Sequence, residues 1–271
     1  MQSNADLASN ADLLSALPTD DRLAGRTAVV TGSSAGIGEA VARVLASSGA
    51  TVLVTARDLV RARPVVGAIT AAGGTAHALA LDLAGSYADL RRFAAEATDL
   101  LGGRVDVLVN NAGIYPVGPT ETLPDADLDA LLAVNVRAPH VLVGALAPAM
   151  AERGDGVIVN VGSWMARVGV PAMALYPATK AALEQLTRGW AAEYGPRGVR
   201  VVGVAPGATS TRGNADYPEA MDHLAKQTPA GVPVRPVDVA YAVRFLVSDE
   251  GRFVQGSSID VDGGITGARL G

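Results

Sequence analysis

The sequence predicts a single α/β domain in which a parallel sheet of about seven strands lies between two layers of helices, a doubly wound arrangement. Seven short apolar runs recur along the chain, and segments with helical spacing separate most of them. The runs are apolar throughout, as expected for strands whose two faces are both buried. Strands that alternate with helices in this way are typical of βαβ units and a parallel sheet.

The predicted strands follow one another at intervals that leave room for at least one helix in most gaps. In chain order they cover residues 27–31, 51–55, 76–81, 105–109, 156–161, 199–204 and 258–261. Behind the first strand, apolar residues from Ile37 to Leu45 recur at the spacing of one helix face, and Gly49 stands where a helix C-cap is expected. No linker large enough to separate a second domain interrupts this pattern.

Two segments differ from the alternating pattern. Residues 1–24 are predicted to form an N-terminal extension in which the run Ser-Asn-Ala-Asp-Leu occurs twice, and we expect a short amphipathic helix or a frayed end there. The doubly wound domain is assigned to residues 25–271. Within it, residues 208–236 are rich in Pro, Gly and polar residues, which predicts a loop that covers a site.

The composition excludes several classes of protein. The 271 residues include 22 Lys and Arg against 27 Asp and Glu, and the net charge of −5 argues against a broad nucleic-acid-binding face. Because the chain has no Cys, disulfides, thiolate nucleophiles and Cys-based zinc sites are excluded. No apolar run approaches the roughly 18 residues of a membrane helix, and no secretory signal is visible. We therefore expect a soluble, cytoplasmic protein that binds neither nucleic acid nor membranes.

A glycine-rich turn follows the first predicted strand and precedes a helix. A turn without side chains lets the backbone approach a phosphate, and a helix N-terminus offers free N–H groups and positive potential. The glycine spacing is GxxxGxG. A tight strand-to-helix turn needs glycine in any case, so the glycines alone do not indicate a ligand. The position of the turn after the first strand is what favours a dinucleotide. The predicted contacts are Gly32, Ser33, Ser34, Gly36, Ile37 and Gly38.

Polar or small residues also follow three later predicted strands, at the edge where the carboxyl ends of parallel strands meet. A carboxylate after the third strand is placed to accept a hydrogen bond from an adenine amino group, and segment 110–113 offers amide donors and a small surface beside a ribose. Each residue is also an ordinary helix-cap or turn residue, and their joint position is what favours a ligand. The residues predicted at this edge are Asp82, Leu83, Asn110, Ala112, Gly113, Pro206, Gly207, Thr209 and Thr211.

Tyr176 and Lys180 are the candidates for acid–base chemistry. Four residues apart on a predicted helix, their side chains share a face. An adjacent ammonium group is expected to lower the pKa of the phenol from about 10 toward the range useful for proton transfer. Ser163 follows the fifth predicted strand, and its hydroxyl is placed to donate to a carbonyl oxygen. A surface pair without a catalytic role is the alternative for Tyr176 and Lys180, since this spacing is common.

Asn135 stands inside a predicted helix, where asparagine has a poor propensity. This position indicates that its amide has a use, for example to hold a water molecule near Lys180. A bend in the helix is the alternative.

The motifs occur in one order that resembles the short-chain dehydrogenase/reductase family, in its branch of about 250 residues. They are TGxxxGxG, NNAG, the interior Asn, Ser thirteen residues before YxxxK, PGxxxT and a final Val-Asp-Gly-Gly. The resemblance spans Leu23 to about Gly264. It implies a Rossmann-type sheet, a nicotinamide cofactor and a homotetramer or homodimer. The catalytic set that it implies is Asn135, Ser163, Tyr176 and Lys180, of which Tyr176 and Lys180 also bind the cofactor.

The end of the second predicted strand bears on the choice of cofactor. An NAD site has a carboxylate there to accept from the ribose hydroxyls, whereas this chain has Ala56, followed by Arg57, whose guanidinium can clamp a 2′-phosphate. Asp58 either neutralises Arg57 or supplies the missing carboxylate, and Ala35 stands where some NADP-preferring relatives have a basic residue. NADP is therefore the expected cofactor, and NAD is the alternative.

Little in the sequence specifies the substrate. Large residues near the predicted strand ends are expected to line its pocket, which favours a bulky apolar carbonyl compound or secondary alcohol; simple packing is the alternative. These residues are Tyr115, Trp164, Met165 and Met173.

Other functions stay open on the same fold. A 3-oxoacyl reductase that acts on an acyl carrier protein needs a basic patch, for which Arg137, Arg167 and Arg212 are candidates. A non-catalytic dinucleotide sensor is a third hypothesis, although it has no need of a Ser-Tyr-Lys set. Lyase or epimerase chemistry would normally bring a larger C-terminal substrate domain.

Overall fold

The computed structural model of the chain describes residues 9–211, 213 and 218–268. In chain order the strands are β1 (Thr27–Val30), β2 (Thr51–Ala56), β3 (Thr75–Ala80), β4 (Val107–Asn110), β5 (Gly156–Val161), β6 (Val199–Pro206) and β7 (Ser258–Val261). The α-helices are α1 (Asn10–Ser15), α2 (Gly36–Ser47), α3 (Leu59–Ala71), α4 (Tyr87–Leu100), α5 (Asp125–Leu132), α6 (Ala138–Arg153), α7 (Leu175–Tyr194), α8 (Pro218–Lys226) and α9 (Pro236–Val247).

All seven strands are parallel and form one sheet in the order β3-β2-β1-β4-β5-β6-β7. The predicted doubly wound α/β fold is confirmed. The chain builds outward from β1 to β3 and then crosses back to place β4 on the other side of β1. This reversal creates a crevice at the carboxyl ends of β1 and β4, which is where open α/β sheets bind ligands.

Apolar side chains on the two faces of the sheet form two cores. One lies beneath α2, α3 and α9, and the other lies beneath α4, α6 and α7. Every residue of β4 and β5 is buried, as the continuous apolar runs predict. The prediction of burial on both faces is wrong for β3, whose residues are exposed or half-buried because it is an edge strand.

A π-helical turn at Ala133–Arg137 joins α5 to α6 in one continuous helix. The stretch Asp125–Arg153 is long and apolar enough to cross a membrane by length and composition, but half of its most apolar window is buried inside the protein. Its α6 part packs against α4 and α7. This burial is typical of a core helix.

Residues 9–24, the described part of the N-terminal extension, pack on the domain. They include the short helix α1, whose Leu14 is buried in the core. The Arg43 guanidinium on α2 donates to the Leu14 carbonyl at 2.9 Å. The Asn10 side-chain oxygen accepts from the Val237 N–H at 3.0 Å, at the start of α9. The extension therefore connects α2 with α9.

The predicted loop 208–236 contains α8 in its described part. Residues 212 and 214–217 lie outside the described residues. The two ends of the segment lie side by side, because the Val234 N–H donates to the Ala208 carbonyl at 2.8 Å and the Ser210 N–H donates to the Val234 carbonyl at 3.1 Å. Closely spaced ends are typical of compact surface loops.

Candidate active site

A cleft of about 860 Å³ opens at the carboxyl ends of β1 to β4, which is within the size range of cofactor sites. Its walls come from the turn after β1, the end of β2 and the loops after β3 and β4. The lining residues that the sequence predicted are Gly32, Ser34, Gly36, Ile37, Gly38, Ala56, Arg57, Asp82, Leu83, Ala112, Gly113, Tyr115 and Thr211.

The glycine turn forms one wall of the cleft. Its backbone packs so closely against neighbouring atoms that there is no room for side chains at Gly32 and Gly38. A Cβ on Gly38 would lie 2.4 Å from the Gly32 carbonyl oxygen, and a Cβ on Gly32 would lie 2.8 Å from the Ala112 Cβ. Gly32 and Gly36 also have positive φ angles of 63° and 60°. Helix α2 begins at Gly36, and Ala35 provides no side-chain cap. The first N–H groups of α2 are thus available to a phosphate.

Ser33 faces away from the cleft, in contrast to Ser34. Its hydroxyl donates to the Val30 carbonyl at 2.7 Å and accepts from the Thr55 N–H at 2.8 Å. It is fully buried between β1 and β2. The Ser33 side chain therefore supports the turn from beneath, and its contact with a cofactor stays a prediction.

The two asparagines at the end of β4 face different surroundings. Asn110 ends β4, is buried, and donates through Nδ2 to the Asn160 Oδ1 at 2.9 Å, so it lies outside the cleft lining. Asn111 lines the cleft, and its Nδ2 donates to the carbonyls of Thr31 and Gly32 at 2.8 and 3.2 Å. Consecutive residues of an extended chain face opposite sides, so one of the two had to face inward.

Thr211 lines the cleft, but the other three residues predicted after β6 do not. Pro206 ends β6, and a Cβ on Gly207 would lie 2.6 Å from the Asp262 Cα, so these residues pack against the chain after β7. The Thr209 hydroxyl donates to the Gly207 carbonyl at 2.9 Å. Pro206, Gly207 and Thr209 therefore shape the segment that carries Thr211.

Tyr176 and Lys180 lie one turn apart near the start of α7. The Ser163 hydroxyl lies close enough to the Tyr176 phenol to influence its pKa. The Lys180 Nζ lies 5.9 Å from the centre of the Tyr176 ring and donates to the Val161 carbonyl at 2.9 Å. The same Nζ lies 3.2 Å from the point that a Cβ on Gly113 would occupy, and Gly113 lines the cleft. The fold thus brings Ser163, Tyr176 and Lys180 together beside the cleft.

Burial shifts the pKa values of the tyrosine and the lysine in opposite directions. It raises the pKa of the Tyr176 phenol; the neighbouring Ser163 hydroxyl opposes this rise and the nearby Tyr115 adds to it. Burial lowers the pKa of Lys180 to about 8. We expected Lys180 to lower the pKa of Tyr176, but burial is the largest influence on the phenol and Lys180 is not among the groups that shift it.

Asn135 lies in the π-helical turn, where the helix holds one extra residue. Its buried amide accepts from the Ile114 N–H at 3.0 Å, and it donates to the Ile114 carbonyl at 2.9 Å and to the Thr179 Oγ1 at 3.1 Å. The amide is thus engaged by the loop after β4 and by α7, and its Oδ1 and the Lys180 Nζ lie 3.4 and 3.2 Å from the same point, the position that a Cβ on Gly113 would take. We therefore describe Asn135 as a positioning residue.

The end of β2 carries the features that bear on cofactor choice. Ala56, Arg57, Asp58 and Arg61 all line the cleft. The Asp58 carboxylate caps α3, because its Oδ1 accepts from the Val60 N–H at 2.8 Å. Arg57 and Arg61 are exposed, and neither forms an ion pair with the described residues. Two guanidinium groups therefore face this end of the cleft.

A second cavity of about 250 Å³ lies beside Tyr176 and is lined mostly by apolar residues of α5, α7 and the loops that precede them. Met173 lines this cavity, and the Tyr115 ring, which lines the cleft, meets the Tyr176 ring edge-on with 5.9 Å between centroids. Trp164 and Met165 line neither space. Trp164 is only 9% exposed, because the 3-10 turn after β5 folds its side chain inward.

A family model described as short chain dehydrogenase matches residues 26–222, more than half of the chain. The chain belongs to the short-chain dehydrogenase family. The resemblance read from the motifs is therefore confirmed, and it accounts for the parallel sheet and for the position of the cleft.

This short-chain dehydrogenase covers almost the whole length of several relatives. A gluconate 5-dehydrogenase of Gluconobacter oxydans is 38% identical over 90% of this chain and 96% of its own. A 3beta-hydroxysteroid dehydrogenase of Eggerthella lenta is 37% identical over 91% of this chain and 95% of its own. The structure of a gluconate 5-dehydrogenase from Burkholderia cenocepacia in complex with NADP and tartrate has a TM-score of 0.85 at 36% identity, over 92% of this chain and 98% of that one.

Several residues that line the cleft of this short-chain dehydrogenase escaped the sequence-based assignments, among them Arg61, Asn111 and Ile114. Arg61 had a signal, since it follows Arg57 by four residues at the start of a helix. Asn111 had one too, as the neighbour of an assigned asparagine. Ile114 had none, because it takes part through its backbone N–H and carbonyl.

Proposed function

We propose that this short-chain dehydrogenase is an NAD(P)-dependent oxidoreductase that transfers a hydride between nicotinamide and a carbonyl or secondary alcohol group. The observation that carries the proposal is the grouping of three side chains beside the cleft: the Lys180 Nζ lies 5.9 Å from the centre of the Tyr176 ring, and the Ser163 hydroxyl lies beside the same phenol. Relatives named as dehydrogenases, and a structural neighbour that binds NADP, support the same conclusion.

The cleft fits a dinucleotide because glycines let the backbone of its wall pack closely. A Cβ on Gly38 or Gly113 would meet protein atoms at 2.4 and 3.2 Å, so the turn after β1 and the loop after β4 take these positions without side chains. The N–H groups at the start of α2 would hold the pyrophosphate, Asp82 would border the adenine, and Lys180 would reach the nicotinamide ribose. When bound, the nicotinamide supplies or accepts the hydride.

Tyr176 would give a proton to the substrate oxygen during reduction and take it back during oxidation. A phenol with a raised pKa is protonated at neutral pH, which suits the donor role. Ser163 would donate a second hydrogen bond to the same oxygen, and its position is fixed because its Oγ accepts from the Met165 N–H at 3.2 Å. The Lys180 ammonium would stabilise the phenolate that remains after proton transfer.

NADP is the cofactor that we favour, with NAD as the alternative. A 2′-phosphate on the adenosine ribose would lie at the end of β2, where Arg57 and Arg61 present two guanidinium groups. Ala56 offers no carboxylate to repel it, and the Asp58 carboxylate is engaged in capping α3. Arginine binds phosphate through paired, charge-assisted hydrogen bonds, which supports this choice.

An uncharged, bulky substrate suits the cavity beside Tyr176. Apolar side chains such as Leu128, Leu131 and Met173 dominate its lining, and none of the described residues that line it carries a charge. An alicyclic ketone or secondary alcohol would bury apolar surface there, whereas a sugar acid would lose its solvation without a cationic partner. We therefore favour the alicyclic class over sugar acids.

The acyl-carrier hypothesis finds less support. Arg137 is engaged by two carbonyls of the loop after β3, and Arg167 is paired with the carboxylates of Glu184 and Asp260. Arg212 lies outside the described residues. Two of the three candidate cations are thus occupied within the chain, which favours a small-molecule substrate. A non-catalytic sensor would leave the contact between Ser163 and Tyr176 without a purpose.

Replacement of the phenol tests the proposal. Tyr176→Phe is expected to bind NADPH as the wild type does and to lose turnover by about 100-fold or more, because the proton donor is removed. Steady-state rates with alicyclic ketones and fluorescence titrations of NADPH measure the two effects. Tyr194→Phe, on the same helix but outside the site, is the control and is expected to keep its turnover. Unchanged turnover in Tyr176→Phe would contradict the proposed mechanism.

A further inference from the structure

Arg137 connects the central helix to the loop that follows β3. Its Nη2 donates to the carbonyls of Ala84 and Gly85 at 2.9 and 2.7 Å. Its guanidinium carbon lies 5.3 Å from the centre of the Tyr87 ring, at the start of α4. A single side chain therefore holds two consecutive peptide groups of this loop and packs over the residue that ends it.

The loop that Arg137 holds forms one end of the cleft. Asp82 and Ala84 line the cleft beside Leu83. Local hydrogen bonds give the loop its shape, because the Asp82 carboxylate accepts from the Ala84 N–H at 3.0 Å and the Asp82 carbonyl accepts from the Gly85 N–H at 3.1 Å. These bonds lie within the loop and cannot fix where it stands relative to the rest of the cleft.

The loop is tied to β2 at its start, where the Leu81 N–H donates to the Ala56 carbonyl at 2.9 Å, and Arg137 anchors its later part. Within the described part of the chain, no strand supports the loop from the other side, because β3 is at the edge of the sheet. It pairs with β2 alone, and its residues are exposed or half-buried. On the far side of the cleft, Asn135 holds the loop after β4 through Ile114. Asn135 and Arg137 are two residues apart on the helix, and side chains at that spacing point to nearly opposite sides. The π-helical turn thus holds the loops at both sides of the cleft.

The hydrogen bonding of Arg137 is incomplete, which argues for more than a contribution to stability. Its Nε is buried and has no hydrogen-bond partner among the described residues. An unsatisfied buried donor costs free energy that a smaller apolar residue would avoid. The arginine carries this cost, and its two side-chain hydrogen bonds both go to the loop that lines the cleft.

We propose that Arg137 is a positioning residue that holds the loop after β3 in the place where it borders the adenine end of the cofactor. The inference rests on the proposed function, since it assumes a dinucleotide in the cleft. Without the anchor, the loop would spend a smaller fraction of the time in its binding position. The apparent affinity for the cofactor falls in proportion to this fraction. If the fraction falls to about a tenth, the Kd for NADPH rises about tenfold.

The affinities of the whole cofactor and of its two halves test this role. NADPH, adenosine 2′,5′-bisphosphate and reduced nicotinamide mononucleotide are titrated into the wild type, Arg137→Gln and Arg137→Lys. Arg91→Gln is the matched control, because Arg91 also lies over the Tyr87 ring but has no hydrogen bond to the loop among the described residues. Far-UV circular dichroism and thermal unfolding of each variant show whether it is folded.

We expect Arg137→Gln to weaken NADPH and the adenosine bisphosphate about tenfold and to leave the mononucleotide unchanged. Arg137→Lys, which keeps a cationic donor, should recover part of the loss, and Arg91→Gln should resemble the wild type. Equal weakening of both fragments, or no weakening of either, would overturn the inference. A wild type that binds neither NADPH nor NADH would overturn the proposed function itself, so the two failures are distinguishable.

Discussion

Lys180 combines deep burial with a charge. Its ammonium group donates to the Val161 carbonyl, and burial lowers its pKa from 10.5 to about 8. Between these two values the unfolded chain binds more protons than the folded one, so the contribution of Lys180 to stability rises with pH across this window. Below pH 8 the folded protein bears a buried charge, at a cost of about 3 kcal/mol.

Lys180→Met is therefore expected to be more stable than the wild type at pH 7, by up to about 3 kcal/mol, and to lose most of this advantage by pH 9.5. Its turnover should fall, because the phenolate of Tyr176 loses its neighbouring cation. Urea unfolding at the two pH values measures the first effect. Lys226→Met, at an exposed position, is the control. A stability difference that does not change with pH would contradict the lowered pKa.

Arg57 and Arg61 define a second prediction at this scale. Arg57→Ala should raise the Kd for NADPH about tenfold and leave that for NADH nearly unchanged, because a charge-assisted bond to the 2′-phosphate is lost. Arg57→Ala with Arg61→Ala should abolish the preference. Arg63→Ala, on the same helix but outside the cleft lining, serves as the control. Equal effects on both cofactors would contradict the assignment.

At the scale of elements, the turn between β1 and α2 allows a direct test. A Cβ on Gly38 would lie 2.4 Å from the Gly32 carbonyl oxygen and 2.5 Å from the Asn111 Nδ2, so the turn must move to accept it. Gly38→Ala is expected to weaken dinucleotide binding about tenfold or more and to destabilise the fold by roughly 1–3 kcal/mol. Titration of NADPH and urea unfolding measure these effects.

Gly67→Ala provides the comparison, because Gly67 lies within α3 and a Cβ there would meet no atom within 4 Å. This variant should gain about 0.5–1 kcal/mol of stability, since alanine is the better helix former, and should bind the cofactor normally. If both alanine variants behaved alike, the close packing of the turn would not be what the binding site requires.

The elements themselves could be predicted from hydrophobic patterns, but the facing of single residues could not. Strand β5 has the predicted bounds, and β4 begins two residues later than predicted, after Asp106, whose carboxylate accepts from the Thr27 N–H at 2.9 Å. The hydrophobic pattern could not show that the side chains of Ser33 and Asn110 point inward. At the end of a strand, the side to which a side chain points depends on its neighbours in the fold. The inward position of Trp164 could not be predicted either, because Trp164 lies in the 3-10 turn after β5.

At the scale of the molecule, the N-terminal extension acts across the whole chain. Asn10 accepts from the Val237 N–H and so serves as a side-chain cap for α9 from the other end of the sequence. Asn10→Ala should lower the free energy of unfolding by about 1 kcal/mol, as the loss of a cap does. Urea unfolding measures this change. Thr19→Ala, in the same segment and exposed, should have little effect.

Contacts between distant segments limit what the sequence can predict at this scale. The order of strands and helices, the position of the cleft and the closeness of Tyr176 and Lys180 follow from local patterns and the family resemblance. The anchoring of Ala84 by Arg137 does not, because it depends on how the crossover from β3 to β4 brings two helices together. Assembly into a homotetramer or homodimer and a cytoplasmic location stay predictions.

The π-helical turn gives the central helix one residue more than a regular helix of the same length needs. A deletion of one residue within Ala133–Arg137 could close the turn into ordinary α-helix without moving either end of the helix. The sheet and the two cores would survive such a deletion, but Asn135 and Arg137 would no longer face the two loops that they hold. If Asn135 and Arg137 hold these loops as proposed, the extra residue serves the cleft and not the core.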